Sequence, residues 1–299
     1  MSNHNLKTDT VEQMYALVED QKDQNKILQD YGNQHHLGYW DKPNLSSTEA
    51  AERLTQVMIN KVTIQAGQRF CDLGCGGGHP AITLMQATGC CVDGITISQS
   101  QQEIAQHVAA TAGMADQANF ILGNALEMPC EDATYDGGWF FESIFHMGHS
   151  KALQEASRIL KPGATLLIAD ITAQPTINQD LKALYEQYTF AFYIAKEEYP
   201  DLLDKAGFDL VEMDNVTEFV IAPSVANMKN MSKQYESEFT KYFESPEAKE
   251  GFRTYCNKLG IEYVEGEELK QWLQMHEQVC NHSEYILVTA RKRETLLTD

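Results

Sequence analysis

From Arg69 to Asp170 the chain repeats one rhythm: a short apolar run that suits a strand, then a longer segment with apolar positions at helical spacing. The runs are RFCDL (69–73), CCVDGI (90–95), ANFIL (118–122), YDGGWFF (135–141) and ATLLIAD (164–170), and EYILVTARK closes the series at 284–292. Such alternation predicts a doubly wound, mostly parallel sheet with helices on both faces. Ahead of it, Val11, Met14, Tyr15, Leu17 and Val18 trace the stripe of an amphipathic helix over about Val11–Tyr31, followed by the aromatic-rich turn YGNQHHLGYWDKPN. A second helix is predicted over Ser47–Val62, where Ser46 and Ser47 offer a cap and Glu49 faces the helix dipole. Helical stretches at about 179–206, 224–259 and 267–280 separate Asp170 from the last strand. Because that strand must rejoin the sheet, the excursion is expected to lie over it as a cap. Within it, Tyr185, Tyr188 and Phe192 fall on one helical face, while Phe190 and Tyr193 lie elsewhere, an arrangement that suits core and cap packing. The organisation expected is an amino-terminal helical lid (1–62), a sheet core (63–172, 207–221 and 283–293) and a helical cap (173–206 and 222–282).

Charge narrows the partners. The 299 residues carry 43 acidic against 23 basic side chains, a net −20, and the only basic cluster is the short ARKR at 290–293. This balance argues against nucleic acid or an anionic membrane as partner. The amino end lacks the apolar core of a signal peptide, and no stretch approaches membrane-spanning length. Seven cysteines, an odd number with Cys90 and Cys91 adjacent, do not form the framework of a small secreted domain, so a reducing cytoplasm is expected. Cys71 and Cys75 have no second pair at zinc-site spacing, and no metal is expected.

The chemistry gathers at CDLGCGGGHP, where glycines at 74, 76, 77 and 78 follow the first strand of the sheet. In an open parallel sheet ligands sit beyond the carboxyl ends of the strands, and glycine lets the backbone turn sharply there. A dinucleotide site calls for G-x-G-x-x-G/A, but counting from Gly74 the third position is His79. The pattern D-x-G-x-G-x-G is met in full by Asp72, Gly74, Gly76 and Gly78. It resembles the first motif of class I methyltransferases that use S-adenosyl-L-methionine. The stretch LGNALEMPCEDATYDGGWFFESIFHMGHSKALQEASRILKPGATLLIAD resembles their later motifs, in order and at family spacing. The resemblance runs from about His35 to Ile171 plus the closing strand, and implies a seven-stranded Rossmann-like sheet. HHLGYWDKPN, GITISQSQ and ESIFHMGHSKALQEASRILKPG are similar to bacterial small-molecule methyltransferases of the rebeccamycin sugar O-methyltransferase type. They are shared more loosely with sarcosine/dimethylglycine N-, tocopherol and prenyl-diphosphate C-methyltransferases, so the cofactor is better identified than the acceptor.

The resemblance implies roles residue by residue. Gly74, Gly76 and Gly78 pass the methionine moiety and ribose, and Asp72 orients the loop or the cofactor ammonium, unless it only caps loop amides. Where many class I enzymes end the second strand with an acid, this chain has Thr96, which shifts ribose contacts to Ser98 and Gln101; Ser98 equally suits a helix cap. Asn124, Ala125 and Leu126 would flank the adenine, Asn124 addressing its amine or simply shaping a turn. Phe141 and Glu142 stand where the methyl group emerges. His146 is the expected general base, with Asp170 orienting it or holding an acceptor hydroxyl; packing and capping are the plainer readings of both. The sugar-methylating family carries two adjacent histidines where this chain has Phe145 and His146. Tyr39 and Trp40 are expected to cover the cofactor's sulfonium or to plug the gap between the first helices and the sheet.

The expected function is therefore methyl transfer to a small-molecule acceptor with apolar surface, in secondary metabolism, with O-methylation ahead of C- or N-methylation. C-methylation of a prenyl diphosphate or other apolar acceptor, with Glu142 acting on a carbocation, is the alternative within enzymes. A cofactor-binding regulatory protein without turnover is the alternative outside them. A nicotinamide-dependent oxidoreductase is disfavoured by His79.

Overall fold

The computed structural model describes residues 35–294 apart from 190, 238–239, 241–245 and 259–260. The helix expected over Val11–Tyr31 and the aromatic Phe190 lie outside the described residues.

Helix α1 (Ser47–Ile59) begins at a reciprocal cap: the Glu49 amide donates to Ser46 Oγ at 3.2 Å, and the Ser46 amide donates to Glu49 Oε2 at 2.8 Å. It ends short of Val62, whose amide already closes a turn onto the Ile59 carbonyl at 3.0 Å. The alternating core follows as β1 (Arg69–Leu73), α2 (His79–Thr88), β2 (Cys91–Thr96), α3 (Gln99–Thr111), β3 (Ala118–Leu122), β4 (Tyr135–Phe141), α4 (His149–Ile159) and β5 (Leu160–Ala173). After β5 come α5 (Gln179–Thr189), α6 (Tyr199–Lys205), β6 (Phe208–Asn215), α7 (Thr217–Gln234), α8 (Pro246–Lys258), α9 (Glu268–Cys280) and β7 (Ser283–Lys292).

The strands form one seven-stranded sheet in the order β3-β2-β1-β4-β5-β7-β6, and β7 runs antiparallel to both its neighbours. Strand order reverses between β1 and β4, which opens a crevice beyond their carboxyl ends. Both faces are buried. Phe70, Trp139 and Phe141 pack on one side with Leu54, Leu84 and Tyr285, while Leu73, Tyr135, Phe140 and Ile168 pack on the other with Leu153 and Tyr199.

Three departures from the pattern-based expectation have physical causes. The stretch 179–206 is broken, so Phe192 lies beyond the end of α5 and off the helical face it was expected to share with Tyr185. Helix α6, within the stretch 173–206, packs Tyr199 and Leu203 into the sheet core rather than over a ligand. Helix α7 starts at Thr217 and runs through Pro223. Proline cannot donate to the carbonyl four residues back. That carbonyl, of Phe219, accepts instead from the Trp40 amide at 2.8 Å. Among the described residues no helix is long and apolar enough to cross a membrane.

The ends of β1 and β4 touch. Gly74 holds a φ of +93°, and a Cβ there would stand 2.5 Å from Ser143 Cβ. The Ser143 hydroxyl donates to the Leu73 carbonyl at 2.5 Å. A Gly74→Ala variant is expected to lose roughly 1–3 kcal/mol in urea unfolding through overpacking and backbone strain. Gly67→Ala, at φ +78° with nothing within 4 Å, supplies the control and should lose less. Equal losses would contradict the contact's importance.

Candidate active site

A cavity opens at the β1/β4 crevice. Its floor is the turn after β1. The amides of Gly74 and Cys75 both donate to the Ile95 carbonyl, at 3.0 and 2.9 Å, so β2 holds this turn and those two amides do not face a ligand. Gly78 caps α2 with φ +78°, and a Cβ there would lie 2.8 Å from Ala105 Cβ, so glycine lets α2 close on α3. Gly76 also lines the cavity.

Asp72 is the charged group of this floor. It is 1% exposed, lines the cavity, and its Oδ1 has no hydrogen-bond partner among the described residues. Burial pushes its carboxyl up to about 7, with the Trp139 indole pulling the other way. A buried carboxylate oxygen without a donor is suited to a cation, such as the ammonium of an adenosyl amino acid.

At the end of β2, the Thr96 hydroxyl donates to Gln101 Oε1 at 2.8 Å, and both side chains belong to the cavity lining. Ser98 does not line it. Its Oγ accepts the Gln101 amide at 3.3 Å as the cap of α3, the plainer of its two expected roles. After β3, Asn124, Ala125 and Leu126 line the cavity, and Asn124 Oδ1 accepts the Leu126 amide at 2.9 Å. The asparagine oxygen thus shapes the turn, a local bond that competes with any ligand for it.

The far wall is the end of β4. Phe141 lines the cavity and is covered by the His36 ring, 4.4 Å between centroids at 24°. Glu142 has a φ of +50°, rare for a residue with a side chain and costing of order 1–2 kcal/mol. Its Oε1 accepts both the Leu37 amide at 2.9 Å and the Tyr285 phenol at 2.7 Å. Burial pushes the Glu142 carboxyl up to about 7; the two hydrogen bonds oppose that shift and the charge of Asp170 adds to it. A single 3₁₀ turn, Ile144–His146, then brings the half-buried His146 to the cavity, edge-on to Phe145 at 4.5 Å.

Four expected residues are not at the cavity. Asp170, fully buried on β5, does not orient His146. Its Oδ2 pairs with His149 Nε2 at 2.9 Å and accepts the Tyr199 phenol at 2.6 Å, clamping α4 and α6 to the sheet. Tyr39 stacks on Phe219 at 5.1 Å, and Trp40 is tied by its amide to the same residue, so both fill the gap between α1 and α7. Ser98 is the fourth, for the reason given above. The strap residues that do line the cavity are His35 and His36. Burial lowers the His36 imidazole to about 4, and its Nδ1 donates to the Leu37 carbonyl at 2.8 Å, so it stays neutral. Met147 and Phe192 also line the site and were not singled out for it from sequence. The pair His35–His36 ahead of GYW was the available signal for the strap; for Phe192 the signal was the aromatic run at 185–199, although a broken helix, not a shared helical face, brings it there. Among the described residues no group of three metal-capable side chains converges.

Comparison with known proteins agrees with this geometry. Residues 71–168 match the family described as a methyltransferase domain. The (+)-O-methylkolavelool synthase of Herpetosiphon aurantiacus is 31% identical over 267 residues, covering 88% of each chain. Methyltransferase GfsG of Streptomyces halstedii is 35% identical over 190 residues, 61% of this chain and 68% of that one. Among solved structures, the [4+2]-cyclase SpnF shares the fold with a TM-score of 0.74 at 23% identity, covering 96% of each chain.

The raised carboxyls of Asp72 and Glu142 make a pH prediction. Each binds its proton more tightly in the folded than in the unfolded chain. Their contribution to stability is therefore greatest below about pH 4 and is lost as pH rises through about 7. The ligand-free protein should unfold at least about 3 °C lower at pH 8 than at pH 5.5, a gap that Asp72→Asn narrows. Differential scanning calorimetry checks it; an unchanged gap in the variant would contradict the burial of an unpartnered carboxylate.

Proposed function

The chain belongs to the class I S-adenosylmethionine-dependent methyltransferases, and from that premise we propose that it methylates a hydroxyl on an apolar small molecule of secondary metabolism, with His146 as general base. The observation that carries this reading is an imidazole at the cavity, presented by the turn after β4 beside Met147 and Phe192. Such a wall suits a largely apolar acceptor with one polar group to deprotonate. The Herpetosiphon aurantiacus relative, which matches over 88% of the chain, is itself named for an O-methylated product.

When bound, S-adenosylmethionine supplies an electrophilic methyl group on a sulfonium centre. The chain's own tasks are to hold, orient and exclude water. Asp72 Oδ1 offers the buried acceptor for the amino-acid ammonium. Thr96, Gln101, Ala125 and Leu126, all lining the cavity, are the residues that would hold the nucleoside. Phe141, backed by a neutral His36, offers an aromatic face to positive charge. Were His36 protonated, it would repel that charge; burial keeps it neutral across the working range. His146 would take the acceptor's hydroxyl proton.

A prenyl diphosphate acceptor fits this site less well. Among the described residues lining the cavity there is no lysine or arginine, and the chain carries a net charge of −20. All seven cysteines are free thiols, which supports placing the enzyme in a reducing cytoplasm.

Replacing His146 by alanine should lower kcat/KM for a hydroxyl acceptor roughly 10²–10⁴-fold. The same variant should bind S-adenosylhomocysteine within a few-fold of wild type by calorimetry. Full activity in the variant would reject the general-base assignment.

A further inference from the structure

Between the cavity and the closing strand lies a hydrogen-bonded node that methyl transfer does not by itself require. Tyr285 sits on β7, fully buried, on the same face of the sheet as Trp139 and Phe141. Its backbone is pinned twice: the Val216 amide donates to its carbonyl at 2.9 Å, and its own amide donates to Thr217 Oγ1 at 2.9 Å. The phenol so fixed donates to Glu142 Oε1, 143 residues earlier in the chain. That same oxygen accepts the Leu37 amide. Leu37 belongs to the strap, 35–40, whose other moorings among the described residues include His36 Nε2 against the Thr55 hydroxyl at 3.4 Å, the Tyr39 amide on the Ala50 carbonyl and the Trp40 amide on the Phe219 carbonyl. The Leu37 bond is the main-chain mooring next to His36, the ring that covers Phe141 and lines the cavity.

We propose that Tyr285 is a positioning residue for this enzyme: by fixing the Glu142 carboxylate it locks the 35–40 strap over the cofactor cavity and slows escape of the spent cofactor. The proposal rests on the reading of the cavity as the S-adenosylmethionine site. It gives Glu142 a task other than proton transfer, since its Oε1 is shared by two donors that lie outside the reacting centre. It also accounts for the left-handed backbone at Glu142. Its amide completes the ladder to the Ala169 carbonyl at 3.0 Å, and the unusual φ turns the side chain toward β7 and the strap. The other ionisable groups around the node are Asp170 from β5, Asp72 from β1, His146 from the turn after β4, His79 from α2, and His35 and His36 on the strap itself. Because Asp72 titrates in the same range, pH dependence does not isolate the node, and a rate measurement does.

The test is stopped-flow release of S-adenosylhomocysteine, with hydrogen exchange followed in the peptide that contains Leu37, for wild type, Tyr285→Phe, Glu142→Ala and the double variant. Tyr285→Phe should release the ligand roughly tenfold faster, the loss expected for one hydrogen bond to a carboxylate. The double variant should be no faster than Glu142→Ala alone, because the two residues act as one unit. Exchange should rise at residues 36–40 and stay at the wild-type level in β5, where a general loosening of the fold would also show. Glu142→Gln, which keeps an acceptor oxygen, should restore most of the slow release, and it supplies the test if Tyr285→Phe fails to fold. Wild-type release rates in Tyr285→Phe, additive effects, or exchange rising equally in β5 would overturn the proposal. Wild-type protein that binds no S-adenosylhomocysteine would instead remove the cofactor reading beneath it.

Discussion

The site depends on one close approach, that of the β1 and β4 ends at the point where strand order reverses. Gly74 has no Cβ because Ser143 occupies that space, and the Ser143 hydroxyl ties the two strand ends together through the Leu73 carbonyl. Asp72 stands two residues before the glycine and Glu142 one residue before the serine. Joining the strand ends therefore brings both carboxylates to one crevice. A side chain at position 74 would part the strands and with them the two halves of the site.

Two buried carboxylates lining one crevice are each costly to keep charged, and burial raises each to about 7. They differ in what relieves that cost. Glu142 already has donors within the chain, from the strap and from β7, and so serves the architecture. Asp72 lines the cavity and retains a buried oxygen without a partner among the described residues, which suits a cationic ligand. Burial disfavours charge in both, and on the proposed reading the first acts as a mooring while the second awaits a cationic ligand.

Much of this was legible in the sequence because it follows from local rules. The strand runs, the capped helix at Ser47 and the D-x-G-x-G-x-G turn each depend on residues within a few positions of one another. What was not legible depends on distant partners. Pro223 reads as a helix break until the strap supplies a donor for the Phe219 carbonyl. Tyr39 and Trp40 look like a cofactor cover, but the surface they fill is made by α7, nearly 180 residues away. The resemblance pointed Asp170 to His146 or to an acceptor hydroxyl, whereas the fold presents it with His149 and Tyr199. His35 and His36 face the cavity because Glu142 anchors the backbone of Leu37, a contact across 105 residues.

The central claim is that the Asp72 oxygen left without a partner is the seat of the cofactor's ammonium. A crystal structure with S-adenosylhomocysteine tests it most directly. The account predicts the ligand's amino group within ~3 Å of Asp72 Oδ1, with its sulfur toward Phe141 and His146. A ligand bound with its amino group elsewhere, and Asp72 Oδ1 still without a donor, would contradict it.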